Sequence, residues 1–342
     1  VTADIRVDLY SDTQTRPTPG MRRAMAEAEV GDEQQRRDPT VTRLCEEVAG
    51  RLGQEAAVFL PSGTMCNAVA VATHTRPGDA IVMDRQGHVA RAETAGAAVI
   101  SGVMFDYVDG ERGIFSAEQL EAAMPPGNIY RPGVSLVCLE QTHNFGGGTV
   151  WPLDSWEAVV DRAHQRGARV HVDGARLYNA VVASGVDAAT WAAGVDSVWI
   201  DFTKGLGAPI GAVLAGSADF IEAAWYWKHR LGGAMRQAGI AAAGCLYALE
   251  HHIDRLADDH DHARRLAEGL RARGLEVDEV ATNMCWIHPA SVGMTPSELA
   301  TALAGHGVRV SEVGDRVRAV THLDVSADDI GTALEAAAAV VG

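Results

Sequence analysis

Continuously apolar runs of four to six residues recur along the first two thirds of the chain, separated by stretches with helical spacing. Ala56–Leu60 (AAVFL), Ala80–Met83 (AIVM), Ala98–Val103 (AVISGV), Val134–Leu139 (VSLVCL), Val170–Val172 (VHV), Ser197–Ile200 (SVWI) and Ala212–Ala215 (AVLA) read as strands. Runs without alternation suit strands buried on both faces, and their interleaving with helices predicts a mainly parallel α/β sheet. Helices are expected over Thr64–Thr75 and Trp156–Arg166, and Ser116–Gln119 (SAEQ) has the form of a capping box.

The pattern changes after Leu231. Met235 to Arg273 is an almost unbroken run of helix formers, apolar first and charged later, which predicts one long connecting helix. Beyond it, Thr295-Pro296-Ser297-Glu298 reads as a helix start, and Arg318–Val325 (RAVTHLDV) alternates as a strand does. The expected organisation is an N-terminal segment, 1–40, packed across a domain boundary, a large α/β domain over 41–234, and a connecting helix with a small α+β domain over 235–342.

Composition narrows the function. The 342 residues carry a net charge of −16 with no basic run, which argues against a nucleic-acid partner. No stretch has membrane-spanning length, and the first residues lack the apolar run of a signal peptide. The five cysteines, widely spaced and without a C-x-x-C pair, suggest reduced thiols rather than a disulfide framework or zinc site. A cytoplasmic protein is expected. The cluster HHIDRLADDHDH, His251 to His262, is charged nearly all round and reads as a solvated helix rather than a metal site.

Lysine is used only twice, at Lys204 and Lys228. Lys204 lies in WIDFTKGLGAP, just past a strand and ahead of Gly205 and Gly207. A Walker loop would need glycine where Thr203 stands, and a dinucleotide fingerprint a small residue where Ile210 stands. A lysine that condenses with an aldehyde fits better, because guanidinium cannot form an imine. Pyridoxal 5'-phosphate (PLP) is the usual aldehyde, and it needs a carboxylate, a phosphate cradle and a ring cap. Asp173 ends the strand of ARVHVDGA, Pro61-Ser62-Gly63-Thr64 opens a helix, and His88 follows AIVMD.

With these residues in place the chain resembles the L-threonine aldolase and β-eliminating lyase family, PLP enzymes of the aspartate-aminotransferase-like fold (fold type I). The matching stretches are VDLYSDTQTRPT, EVGD, DPTV, FLPSGTM, THN, VHVDGARL, TKGLGAPIG, LGGAMRQAG and VTHLDVS, in order along nearly the whole chain. The resemblance implies that Lys204 forms the Schiff base and that Asp173 pairs with the pyridinium nitrogen. By the same resemblance Gly63 and Thr64 bind the phosphate, His88 stacks on the ring, and Arg236 lies towards the phosphate or a subunit boundary. Arg176 is similar to the arginine near the cofactor's phenolic oxygen, and Ser11, Arg176 and Arg318 match positions that hold the substrate carboxylate.

The implied reaction is cleavage of an L-3-hydroxy-α-amino acid, of the L-threonine or L-allo-threonine type, to glycine and an aldehyde. His88, His143 in QTHN, or a water between them takes the hydroxyl proton. The alternative is β-elimination on a β-substituted amino acid, or aldol cleavage of a different 3-hydroxy amino acid. The resemblance also implies a homo-oligomer, a dimer of dimers. Departures fall on the aldehyde side: Gln35 stands for a tyrosine, Arg36 and Arg37 for a glycine and an acid, Tyr10 for arginine and Ala92 for an aromatic residue. Arg36 or Arg37 would favour a polar or acidic β-substituent.

Overall fold

The computed structural model describes residues 4–342. A seven-stranded sheet runs in the order Ala56–Leu60, Ala212–Gly216, Ser197–Asp201, Arg169–Gly174, Val134–Glu140, Ala80–Asp84, Met104–Val108. Only Ala212–Gly216 is antiparallel to its neighbours. Successive residues of each strand feed different apolar clusters. Phe59, Val82, Val137 and Val213 join the helices Pro39–Leu52, Leu153–Gln165 and Gly239–His251. Val58, Leu60 and Leu214 pack with the helices Gly63–His74 and Ala218–Arg230, and Ile81 and Cys138 with residues of Gly63–His74 and Gly96–Ser101. Helices therefore cover both faces, which is why these strands lack polar alternation.

A second, four-stranded antiparallel sheet, Ser311–Val313, Arg316–Val320, Met284–His288, Glu276–Val277, lies towards the C-terminus. The helices Leu256–Arg271, Pro296–Gly305 and Ala327–Val341 cover it around a separate core that includes Leu266, Cys285, Val317 and Ile330. Val7–Asp8 pairs in parallel with Val308–Arg309, so the chain's start is stitched to this later unit. The anticipated capping box forms at Ser116/Gln119, and the helix start expected at Thr295 carries another, Thr295/Glu298. No helix among the described residues is long and apolar enough to cross a membrane.

Three sequence expectations are corrected. AVISGV is not a strand: Gly96–Ser101 is a helix capped by Gly102 at φ +66°, and the strand follows at Met104–Val108. Ala97 and Ser101 share its inward face while Val99 is 80% exposed, a helical period too short to read from six residues. The long connecting helix breaks into Gly239–His251 and Leu256–Arg271. At the break His252 donates from Nδ1 to the Leu206 carbonyl at 2.6 Å, a tertiary bond that propensity cannot foresee. The strand expected over Arg318–Val325 is Arg316–Val320. Thr321 and His322 leave it to bond the Asp259 and Asp8 carbonyls, at 2.6 and 2.9 Å.

Candidate active site

Four neighbouring parallel strands each present a buried carboxylate towards their carboxyl ends: Asp84, Glu140, Asp173 and Asp201. Side-by-side buried anions repel unless cations or donors face them. His143 Nε2 lies 3.3 Å from Asp84 and 3.7 Å from Glu140, and Glu140 also accepts from the His88 and Asn144 amides, both at 2.8 Å. Lys204 Nζ pairs with Asp201. Asp173 is held only by neutral donors, the Ala175 amide at 3.1 Å and Asn67 Nδ2 at 2.9 Å. Burial, then Glu140 and Glu93, push its carboxyl up to about 6 against the pull of His88 and Asn67.

The Lys204 backbone is pinned. Thr203 bonds Asp201 through both its amide and hydroxyl, at 2.9 and 2.8 Å, and the Lys204 carbonyl accepts from Thr15 Oγ1 and the Gly207 amide, each at 2.9 Å. Gly207 sits at φ +76°, where a Cβ would also stand 2.9 Å from Leu323, so only glycine fits the turn. The ammonium lies 5.7 Å from the Trp199 ring centroid.

Ser62 caps the helix Gly63–His74, accepting from the Met65 amide, and Ser62 and Thr64 are exposed at its N-terminus. A Cβ on Gly63 would lie 2.2 Å from the Trp199 ring. The glycine thus lets the helix start close over the strand that leads to Lys204.

Asp12 grips Arg176 from both oxygens, and Asn283 Nδ2 bonds the same carboxylate at 3.2 Å. Burial raises the Asp12 pKa, but Arg176, Lys204 and Asn283 outweigh it and hold the carboxyl well below the usual range. Arg318 bonds Asn144 Oδ1 at 2.9 Å, Ser311 Oγ at 3.3 Å and the Tyr10 carbonyl at 3.5 Å, all neutral groups. Burial and then the nearby Arg176 push it down to about 10. Ser11, adjacent to Asp12, is buried and accepts from the Thr13 amide and hydroxyl.

The two histidines differ. His88 is half-buried and its Nδ1 meets Glu93 Oε1 at 2.9 Å, leaving Nε2 without a protein partner among the described residues. Burial opposes its charging, yet the Glu93 bond and the charges of Asp173, Glu140 and Glu93 raise its pKa above the ordinary value. His143 is buried, and its Nδ1 accepts from the Gly146 amide at 3.0 Å. Burial lowers its pKa while Glu140 and Asp84 raise it more. Protonating Nδ1 would break the Gly146 bond, so this geometry suits a neutral ring with its proton on Nε2.

The remaining sequence candidates make their contacts elsewhere. Arg236 is exposed and pairs with Asp32 at 2.9 Å. Gln35, Arg36 and Arg37 are exposed; Gln35 reaches Asp32 at 3.4 Å, and Arg36 forks onto Glu222 at 2.5 and 2.8 Å beneath the Trp225 ring. A cavity of about 450 Å³ opens beside Arg36, Cys45, Glu222 and Trp225, away from Lys204. Asp12, Asn67, Glu93, Glu140 and Asp201 belong to the cluster although the sequence reading passed over them. Asp12 next to Ser11, and Asp201 three residues before Lys204, were the available signals.

Residues 8–291 match the family model for the beta-eliminating lyases, and the chain belongs to that family. It is 39% identical over 333 residues to low-specificity L-threonine aldolase 1 of Arabidopsis thaliana, covering 95% of this chain and 93% of that one. It is 38% identical over 329 residues to the low specificity L-threonine aldolase of Escherichia coli K12, with 95% and 96% covered. The solved threonine aldolase of Leishmania major superposes with a TM-score of 0.87 at 19% identity over 98% of this chain and 100% of that one. An aspartate aminotransferase of Thermus thermophilus gives 0.76 at 16% identity, covering 99% and 92%. The fold is that of the aspartate-aminotransferase-like enzymes of fold type I, with a mainly parallel central sheet.

Proposed function

We propose that the protein is a PLP-dependent aldolase that cleaves L-threonine or L-allo-threonine to glycine and acetaldehyde. The observation that carries this reading is Asp173: a buried carboxylate with no cationic partner in hydrogen-bond reach, on the strand beside the one that ends at Asp201, three residues before Lys204. A protonated pyridine nitrogen is the partner such a carboxylate lacks. The rest of the donor set fits the same group, with an amine at Lys204, free donors at Gly63 and Thr64, and a half-exposed ring at His88.

When bound, PLP supplies an aldehyde for an amine and a protonated ring that accepts electron density from the bond broken at the α-carbon. Asp173 keeps the ring nitrogen protonated, and the Gly63 amide with the Thr64 amide and hydroxyl holds the phosphate at the helix N-terminus. Arg318, left without a carboxylate partner, and Ser11 take the substrate carboxylate, while Asp12 fixes Arg176 beside them. That grip orients the Cα–Cβ bond for cleavage. His88 takes the β-hydroxyl proton on its free Nε2, and Glu93 stabilises the imidazolium that results. His143 positions Asp84 and Glu140 rather than carrying the proton.

The assembly proposed is a dimer of dimers in the cytoplasm. Gln35, Arg36, Arg37 and Arg236 then serve a neighbouring subunit's site, which agrees with their exposure here. Free cysteines, four of the five buried, suit a reducing compartment. The large α/β unit, the later α+β unit and the N-terminal segment divide as the two sheets and their separate cores suggest.

The test is a product assay of the PLP-loaded protein with both threonine diastereomers. Acetaldehyde and glycine, abolished in Lys204→Ala, are expected. Ammonia and 2-oxobutyrate would instead assign β-elimination.

A further inference from the structure

Behind Asp173 an unbroken line of buried polar groups runs between the helix Gly63–His74 and one face of the sheet to the surface. Asn67 Nδ2 donates to Asp173 Oδ2 at 2.9 Å and, through its other hydrogen, to Glu93 Oε1 at 2.7 Å. Asn67 Oδ1 meets His171 Nε2 at 3.0 Å, His171 Nδ1 meets Ser197 Oγ at 2.8 Å, and Ser197 Oγ meets His74 Nε2 at 2.7 Å. His74 Nδ1 ends the line against Nη1 of the exposed Arg169 at 3.2 Å. Asn67, His171 and Ser197 are fully buried, and the His74 ring is clamped on Phe220, centroids 4.5 Å apart.

The proton positions in this line follow from its ends. Trp199 Nε1 can only donate, and it bonds Asn67 Oδ1 at 2.7 Å, which fixes the amide with its NH₂ towards Asp173. His171 must then donate from Nε2 and accept at Nδ1, so Ser197 donates to it. Arg169 also can only donate, so His74 accepts at Nδ1 and donates from Nε2 to Ser197. All five donors point the same way, from a surface guanidinium to Asp173, with the second hydrogen of Asn67 Nδ2 on Glu93. Both rings are held neutral, as their burial also demands: desolvation pulls His74 down to about 2 and His171 to about 3.

We propose that Arg169, His74, Ser197, His171 and Asn67 form a one-way hydrogen-bond relay that keeps Asp173 ionised and aimed at the cofactor's ring nitrogen. The inference rests on the cofactor reading above and adds to it five positioning residues, one of them on the surface. Aligned donors polarise one another, so the charge at Arg169 strengthens the last bond onto Asp173. Crowding by Glu93 and Glu140 makes that support necessary, since both disfavour a third anion.

The test compares Arg169→Met, Arg169→Lys and Ser197→Ala with the parent in binding PLP and its 1-deaza analogue, which has carbon in place of the ring nitrogen. Binding is followed by quenching of tryptophan fluorescence. Arg169→Met is expected to weaken PLP about fivefold and Ser197→Ala about tenfold, whereas Arg169→Lys, still a cationic donor, stays within about twofold. The analogue should bind all four proteins alike, and the melting temperature of Arg169→Met should match the parent. Equal weakening of both compounds, or no weakening in either disrupting variant, would overturn the proposal. Nitrogen NMR of the imidazoles offers a readout independent of the cofactor: Nε2–H tautomers at His74 and His171 are expected, and an Nδ1–H tautomer or imidazolium at neutral pH sinks the relay. If the parent binds neither compound while the tautomers are as described, the cofactor reading fails and the relay's proposed role goes with it.

Discussion

Asp12 and Arg176, 164 positions apart in sequence, meet in a buried two-pronged ion pair with both contacts at 2.7 Å. It joins the turn after the first strand to the end of the strand that bears Asp173. Removing one partner strands a buried charge, which costs about 3–5 kcal/mol. Asp12→Ala is therefore expected to lower the urea midpoint sharply and to raise the KM for amino acid. A variant with unchanged stability and KM would show that the pair has no part in either.

Arg318 is predicted to be the main anchor of the substrate carboxylate. Arg318→Met should reduce kcat/KM by about 10²-fold or more, chiefly through KM, because a charge-assisted bidentate contact is lost. Arg318→Lys should recover only part of the loss, since an ammonium cannot fork. Steady-state kinetics with L-threonine decides this; an unaltered KM in Arg318→Met would place the carboxylate elsewhere.

The histidines should separate by kinetics. His88→Asn removes the free Nε2 and should lower kcat by about 10²–10⁴-fold, the usual weight of a general base. His143→Asn should cost stability first and kcat less, because its Nδ1 bond to Gly146 is structural. Calorimetry alongside turnover would show the split, and a larger kcat loss at His143 would reverse the assignment.

Acid stability gives a fourth check. His74 and His171 bind no proton when folded until the pH nears about 2 and about 3, but do so when unfolded near 6.5. The unfolded state then holds more protons, so stability falls as pH drops through 6.5, by about 1.4 kcal/mol per unit for each ring. His74→Gln should flatten that slope by one histidine's share. Asp173 acts in the opposite sense: raised from 3.8 to about 6, it contributes stability below 3.8 that is lost as pH rises through 6. Asp173→Asn should make the cofactor-free protein more stable at pH 8, by up to about 3 kcal/mol. Urea unfolding at pH 5, 6 and 8 tests both signs.

The amino-acid sequence by itself determined the α/β class, six of the seven expected strands of the large sheet and the helix starts at Ser116 and Thr295, and it singled out Lys204 as the candidate imine-forming residue. These are local properties, carried by apolar runs, capping residues and side-chain reactivity. The run AVISGV failed because six apolar residues cannot distinguish a strand from a buried helical turn. The helix break at His252 failed because its cause is the Leu206 carbonyl, reached only on folding. Only the tertiary structure decided how charge is arranged: four carboxylates aligned at neighbouring strand ends, Asp12 on Arg176, Glu93 on His88, and the line from Arg169 to Asp173. Such pairings join residues far apart in sequence, and burial strengthens them by removing water. Neither separation nor desolvation is written in residue order, and both set how the groups at Lys204 are charged.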